Sequence, residues 1–127
     1  MNGHVLVVDD ERDVEMLFRQ QFRRELREGQ FVLDFALSAD EAFGKIRAVE
    51  GETIILLVSD INMPGMSGLD LLPRIKGEHP NIPVFMVTAY GDENTRKVAL
   101  ERGADGFLTK PIDFSALRSA VQARLVA

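Results

Sequence analysis

Five short apolar runs, Val5 to Val8, Phe31 to Ala36, Thr53 to Val58, Ile82 to Val87 and Gly106 to Thr109, alternate with segments whose apolar residues recur every three or four positions. That alternation predicts an α/β fold. Consecutive parallel strands need helical crossovers, and near-continuous apolar runs such as Val5 to Val8 and Ile54 to Val58 suit strands covered on both faces. The expected architecture is therefore a doubly wound, five-stranded parallel sheet with right-handed connections. At 127 residues the chain suits one domain, 1–127, large enough to bury its own core.

The helical segments carry their own boundary signals. Val14, Leu17, Phe18, Phe22 and Leu26 form one apolar stripe in the first, and Ser38 with Glu41 forms a capping box ahead of Ala42, Phe43, Ile46 and Val49 in the second. The third, Ser67 to Lys76, contains Pro73, which removes a backbone bond if the helix begins at Gly68, so a kink or a late start is expected. The fourth runs from about Asp92 to Arg102, stopped by Gly103, and its weak apolar stripe suggests a mobile element. The fifth starts at Asp113 and buries Phe114, Leu117, Val121 and Leu125.

Four of the apolar runs end in residues suited to phosphate chemistry: Asp9 and Asp10, Asp60, Thr88, and Lys110. A parallel sheet gathers the carboxyl ends of its strands along one edge. With the order 2-1-3-4-5, the crevice opens between strands 1 and 3, which end in these acids. Strand 2, at the sheet's edge, runs out in Ala36, Leu37 and Ser38. Three carboxylates held together need a cation or protons, and a hard divalent ion such as Mg²⁺ takes such oxygen ligands. Asp60 is the candidate nucleophile toward phosphorus, presented by the loop Ile61-Asn62-Met63-Pro64-Gly65 rather than buried. Lys110 and the Thr88 hydroxyl would then neutralise and hydrogen-bond the phosphoryl oxygens. Each residue alone has a plainer reading, as an N-cap or a turn residue; the force lies in their coincidence at successive strand ends.

Composition narrows the alternatives. The absence of cysteine excludes disulfides and thiolate zinc sites, and two histidines are too few for most imidazole metal sites. The net charge of −5 disfavours direct nucleic-acid binding. One local exception is Arg19, Arg23 and Arg27, spaced every four residues, with Glu15 placed to pair with Arg19; a solvated helix face is the expected reading. There is no secretory h-region and no membrane-spanning run, so a cytoplasmic protein is expected.

Val7-Val8-Asp9-Asp10-Glu11, the run Ser59 to Gly68, Val87-Thr88-Ala89 and the run Gly103 to Pro111 together resemble the signatures of a response regulator receiver domain across the whole chain. Chemotaxis receivers share the flavodoxin-like (βα)5 order 2-1-3-4-5, so the resemblance carries the strand order. It implies that Asp60 takes phosphate from a phosphohistidine on a sensor histidine kinase or phosphotransfer protein. The receiver itself catalyses that transfer, as a switch rather than an enzyme. It also implies that Asp10, Asp60 and the Asn62 carbonyl bind Mg²⁺, with Asp9 acting mainly through a metal-bound water. Lys110 would pair with the phosphate, and the bond to Pro111 would be cis.

The same resemblance couples Thr88 to the ring of Phe107, where relatives usually carry Tyr or His, and changes the face made by helix 4, strand 5 and helix 5. Asn62 and Tyr90 fall at positions that tune acyl-phosphate hydrolysis. Kinase docking would involve Asp13, Val14, Leu17, Pro111 and Ile112, although Val14 and Leu17 also suit the core. Homodimerisation through helices 4 and 5 is open to such a chain, with no diagnostic charge ladder, and the downstream effector is not legible. Both a free-standing receiver and a piece of a longer regulator fit the sequence.

Two rival readings fit the residues less well. A haloacid-dehalogenase-like Mg²⁺ phosphatase needs Asp-x-Asp after strand 1, where this chain has Asp9-Asp10-Glu11-Arg12. A receiver-like module that is never phosphorylated is disfavoured by the intact set Asp10, Asp60, Thr88 and Lys110. No nucleotide-binding glycine motif is present.

Overall fold

The computed structural model describes residues 3–49, 53–89 and 91–125. The elements run β1 (Gly3–Val8), α1 (Arg12–Gln21), α2 (Arg23–Arg27), β2 (Phe31–Ala36), α3 (Ala39–Ala48), β3 (Ile54–Asp60), α4 (Gly68–Glu78), β4 (Val84–Thr88), α5 (Glu93–Glu101), β5 (Gly106–Thr109) and α6 (Phe114–Leu125). The five strands pair in parallel in the order β2-β1-β3-β4-β5, as expected.

Side-chain alternation along the strands divides the core into two layers. Val5, Val7, Leu56, Val58 and Val87 pack on one face with Phe18 and Phe22 of the first helical segment and with Leu117 and Val121 of α6. Leu6, Val8, Leu57, Val84 and Met86 pack on the other with Phe43 and Ile46 of α3, Leu71 and Ile75 of α4, and Ala99 of α5. Burying side chains of this size contributes roughly 1.5–3 kcal/mol each, which is what holds the helices to the sheet.

The predicted cap at Ser38 is present, and the residues expected to start the last two helices act as caps as well. Ser38 Oγ accepts from Glu41 N at 3.2 Å, Asp92 Oδ1 from Thr95 N at 2.7 Å, and Asp113 Oδ1 from the amides of Ser115 and Ala116. Gly103 closes α5 at φ +103, the left-handed region that favours glycine. Ala99 is the only α5 residue in the core among those described, consistent with its weak stripe.

Three expectations need correction. The first predicted helix is broken at Phe22 (φ −106, ψ 18), so it forms α1 and α2, and the fourth and fifth predicted helices are α5 and α6. The predicted stripe also slips. Leu17 is 42 % exposed, while beyond the break Glu25 is buried and Leu26 only half-buried. The reason is tertiary, because α6 brings Arg118 to within 2.6 Å of Glu25.

Pro73 does not delay α4, which starts at Gly68 with Ser67 Oγ accepting from Asp70 N. The carbonyl that loses its partner at Pro73 is that of Leu69, four residues earlier. Arg102 Nη1, at the end of α5, donates to it at 2.8 Å. A proline deep in a helix is tolerated here because a neighbouring side chain satisfies the orphaned oxygen.

Candidate functional site

The sheet order places the carboxyl ends of β1 and β3 side by side, with Val8 opposite Ser59, so Asp9 and Asp60 leave adjacent strands at the same level. On the other side of β3, Asp60 lies opposite Val87 of β4, and Thr88 opposite Thr109 of β5. Lys110 N donates to Thr88 O at 2.9 Å, extending the ladder to the lysine. Residues from four strand ends thereby meet along one edge. The Lys110–Pro111 bond is cis, as expected.

Lys110 Nζ lies 3.3 Å from Asp60 Oδ2 and 3.5 Å from Asp9 Oδ2. Asp9, Asp10 and Asp60 each bring one carboxylate oxygen within 4.8 Å of the others, with Asp10 exposed and the other two buried. Asp60 is 5 % exposed, so it is not held out to solvent as expected. β3 extends through Asp60, and the following loop folds back to bury Ile61 and Met63 beside it.

Gly68 makes that folding possible. A Cβ there would sit 2.3 Å from Asp60 O and 2.9 Å from Ile61 Cα, so only glycine lets the N-terminus of α4 pack on the end of β3. In the sequence, the signal for this close approach is a glycine at the first position of a helix, Gly68.

Asn62 joins two predicted site residues. Its backbone amide donates to Asp60 Oδ1 at 3.3 Å, and its side-chain Nδ2 donates to the buried Thr88 hydroxyl at 3.1 Å. Asp9 Oδ1 accepts from Glu11 N at 2.9 Å, which fixes the turn into α1. Phe107 is half-buried and packs against the core layer that contains Met86 and Ala99. Tyr90 lies outside the described residues.

The electrostatics of the cluster are unbalanced. Burial raises the Asp9 carboxyl above its ordinary value, and the Asp60 charge adds to that, outweighing the Glu11 amide and Lys110. Burial alone would depress the Lys110 ammonium, but Asp60 and Asp9 overcome it and raise its pKa. Three carboxylates thus face one ammonium, and an oxygen-rich set of this kind fits a hard divalent cation better than a soft one.

The sequence matches the family described as "Response regulator receiver domain" over residues 5–122. The chain belongs to the response regulator receiver family. It is 39 % identical over 120 residues to the response regulator protein PilR of Pseudomonas aeruginosa, covering 94 % of this chain and 25 % of that protein. The two-component response regulator PhoP of the same organism is 32 % identical over 121 residues, 95 % of this chain and 51 % of PhoP. Among solved structures, a response regulator receiver domain protein from Clostridium thermocellum superposes with TM-score 0.84 at 25 % identity, covering 98 % of this chain and 94 % of that one. The CheX-CheY-BeF3-Mg²⁺ complex from Borrelia burgdorferi gives TM-score 0.83 at 31 % identity, covering 98 % and 90 %.

This receiver domain spans between about a quarter and half the length of those curated relatives. As a receiver it is a signalling switch of two-component systems, and the phosphatase and unphosphorylated-module readings are not favoured. No helix among its described residues is long and apolar enough to cross a membrane. Beside the carboxylates, Val14 and Ile112 line a small crevice that also touches Asp9 and Asp60. Met16 and Leu17 are left 67 % and 42 % exposed on α1.

Proposed function

We propose that this receiver accepts a phosphoryl group on Asp60 from a phosphohistidine of a sensor histidine kinase or phosphotransfer protein, and catalyses that transfer with its own residues. The observation that carries the reading is the ammonium of Lys110 held 3.3 Å from Asp60 and 3.5 Å from Asp9 at the edge of an acidic cluster. An Asp60 oxygen attacks phosphorus, the new P–O bond forms as the P–N bond to the imidazole breaks, and the product is an acyl phosphate. Lys110 stabilises charge on the transferring oxygens, and the Thr88 hydroxyl donates to another of them.

Asp10, Asp60 and the Asn62 carbonyl would hold Mg²⁺, with Asp9 acting through a water; when bound, the ion supplies positive charge that neutralises the phosphoryl oxygens. The neighbour solved with BeF3 and Mg²⁺ supports that assignment by likeness. Docking of the kinase uses Asp13, Val14, Leu17, Pro111 and Ile112; the crevice shared by Val14, Ile112, Asp9 and Asp60 supports it, and exposed Met16 extends the same surface.

Once phosphate draws Thr88 Oγ inward, its bond from Asn62 Nδ2 must be exchanged, and Phe107 moves into the space released. The face of α5, β5 and α6 then shifts between two conformers, which requires phosphate to favour one by several kcal/mol. That face would meet an effector or a second copy of the chain. Tyr90 and Asn62 set the lifetime of the acyl phosphate.

The test is intact mass after treatment with acetyl phosphate. The expected result is the gain of one phosphoryl group that requires Mg²⁺ and disappears in Asp60→Asn. Modification that persists in Asp60→Asn overturns the reading.

A further inference from the structure

Arg19, Arg23 and Arg27 are all exposed, as expected of a solvated helix face, and Arg19 pairs with Glu15 at 2.9 Å. Arg23, Arg24 and Arg27 line one side of an open groove of about 780 Å³ whose other side is Arg118 and Gln122 of α6. The groove shares no residue with the carboxylate site. Its floor is a built ion pair. Arg118 Nε donates to buried Glu25 at 2.6 Å, its Nη2 donates to Gln21 O, and its guanidinium lies 5.2 Å from the Phe22 ring centre. Gln122 Nε2 donates to Gln30 Oε1 at 3.0 Å, tying α6 to the entry of β2.

Charge within the groove is one-sided. Four guanidiniums face two carboxylates, and both carboxylates are engaged, Glu25 by Arg118 and Glu28 by Arg24. Among the described residues Arg23 and Arg27 form no ion pair. A domain of net charge −5 therefore carries a basic groove in which the guanidiniums of Arg23 and Arg27 close no ion pair, with side-chain amides beside them. Guanidinium forks match carboxylates, and amides can bond a peptide backbone.

We propose that this groove between α1–α2 and α6 docks a short acidic peptide segment of a partner protein, separately from phosphorylation at the sheet edge. Exposed charges act over ~8 Å at physiological ionic strength, so the guanidiniums that line the groove attract an acidic segment seated between its two walls, and a short one fills it.

The test uses the whole chain and a fluorescein-labelled hexaglutamate peptide, read by fluorescence anisotropy, with a hexalysine peptide and a short DNA duplex as comparison probes. Arg23→Glu with Arg27→Glu reverses the groove; Lys45→Glu with Arg47→Glu makes the same change of net charge on exposed positions of α3. Hexaglutamate should bind the parent with an affinity that falls as salt is added. That affinity should fall about tenfold or more in the groove variant and less than about twofold in the α3 variant, as expected when a local charge match directs binding. Circular dichroism checks that both variants are folded, and acetyl phosphate should still modify Asp60 in both. Absent binding to the parent, equal losses in the two variants, or tighter binding of the duplex than of the peptide each overturns the proposal.

Discussion

The two ends of the sheet each hold a lysine against an aspartate, and they do opposite things with it. At the amino-terminal end, Lys76 Nζ donates to Asp105 Oδ2 at 2.7 Å and to Ile82 O at 2.8 Å, while Asp105 Oδ2 also accepts from Val84 N at 2.8 Å. One acid, one cation and two backbone groups close on one another. At the carboxyl end Lys110 is shared between two buried acids at 3.3 and 3.5 Å, with a third nearby. Saturation is a sign of scaffold, and a deficit of positive charge is a sign of a site that completes itself with something bound. Both ends set a lysine against aspartate; what differs is the number of acids that share the one ammonium.

Exchanging the defect between the ends is the strongest way to break this contrast. Lys110→Ala should slow modification by acetyl phosphate by about 10²–10³-fold, the loss seen when one preorganised charge-stabilising donor is removed, with little change in the denaturation midpoint. Lys76→Ala should do the reverse, lowering stability by about 2 kcal/mol as Asp105 and the Ile82 carbonyl lose a partner, with modification preserved. Urea unfolding and intact mass on the same two variants decide it. Equal effects on both readouts would erase the distinction.

A smaller effect comes from pH and metal. Asp9 is raised above its ordinary 3.8, first by burial and then by Asp60, so the folded protein retains a proton that the unfolded chain gives up. Stability from this group is therefore greatest at low pH and is lost as pH climbs from about 4 through the raised value. Lys110 is raised as well, but from a basic starting value, so it holds its contribution until pH passes its own elevated pKa and leaves that window alone. Without divalent ions, the melting midpoint of the parent should fall relative to that of Asp9→Asn as pH rises from about 4, and millimolar Mg²⁺ should remove most of that difference. Asp9→Asn should stabilise the metal-free protein by roughly 1 kcal/mol. The amino-terminal pair, already closed, predicts no Mg²⁺ response, so a midpoint insensitive to Mg²⁺ would sink the deficit argument.

The contrast also explains what could be read from sequence. Asp9, Asp10, Asp60, Thr88 and Lys110 were legible because each follows an apolar run, and strand order carries a local position directly to a place in space. Asp105 and Lys76 were not, because their roles depend on partners that close only when α4, β4 and β5 meet. Glu25 was hidden for the same reason: its burial is set by Arg118, 93 residues away. Leu17 was misjudged because a three-and-four rhythm does not show where the helix breaks, and the break at Phe22 shifts the buried face. Asp60 was expected in the open because a Pro-Gly loop reads as exposed; the close packing of Gly68 on its carbonyl is a contact that loop composition does not encode.

The mildest test extends the saturation rule to Arg102. Its Nη1 donates to Leu69 O at 2.8 Å and lies 3.5 Å from Asp70 Oδ1, so it closes a gap left by Pro73 and counts as scaffold. Arg102→Ala should cost about 1 kcal/mol, the net value of such a hydrogen bond, and leave modification of Asp60 unchanged. Pro73→Ala restores an amide that can reach Leu69 O within the helix. If the carbonyl is what Arg102 serves, its removal in the Pro73→Ala background should cost much less than in the parent, a coupling that a double-mutant cycle in urea measures directly. An unchanged cost in both backgrounds would assign the effect of Arg102 to Asp70. The proline would then be tolerated for some other reason, and a filled donor list would no longer suffice to recognise scaffold in this fold.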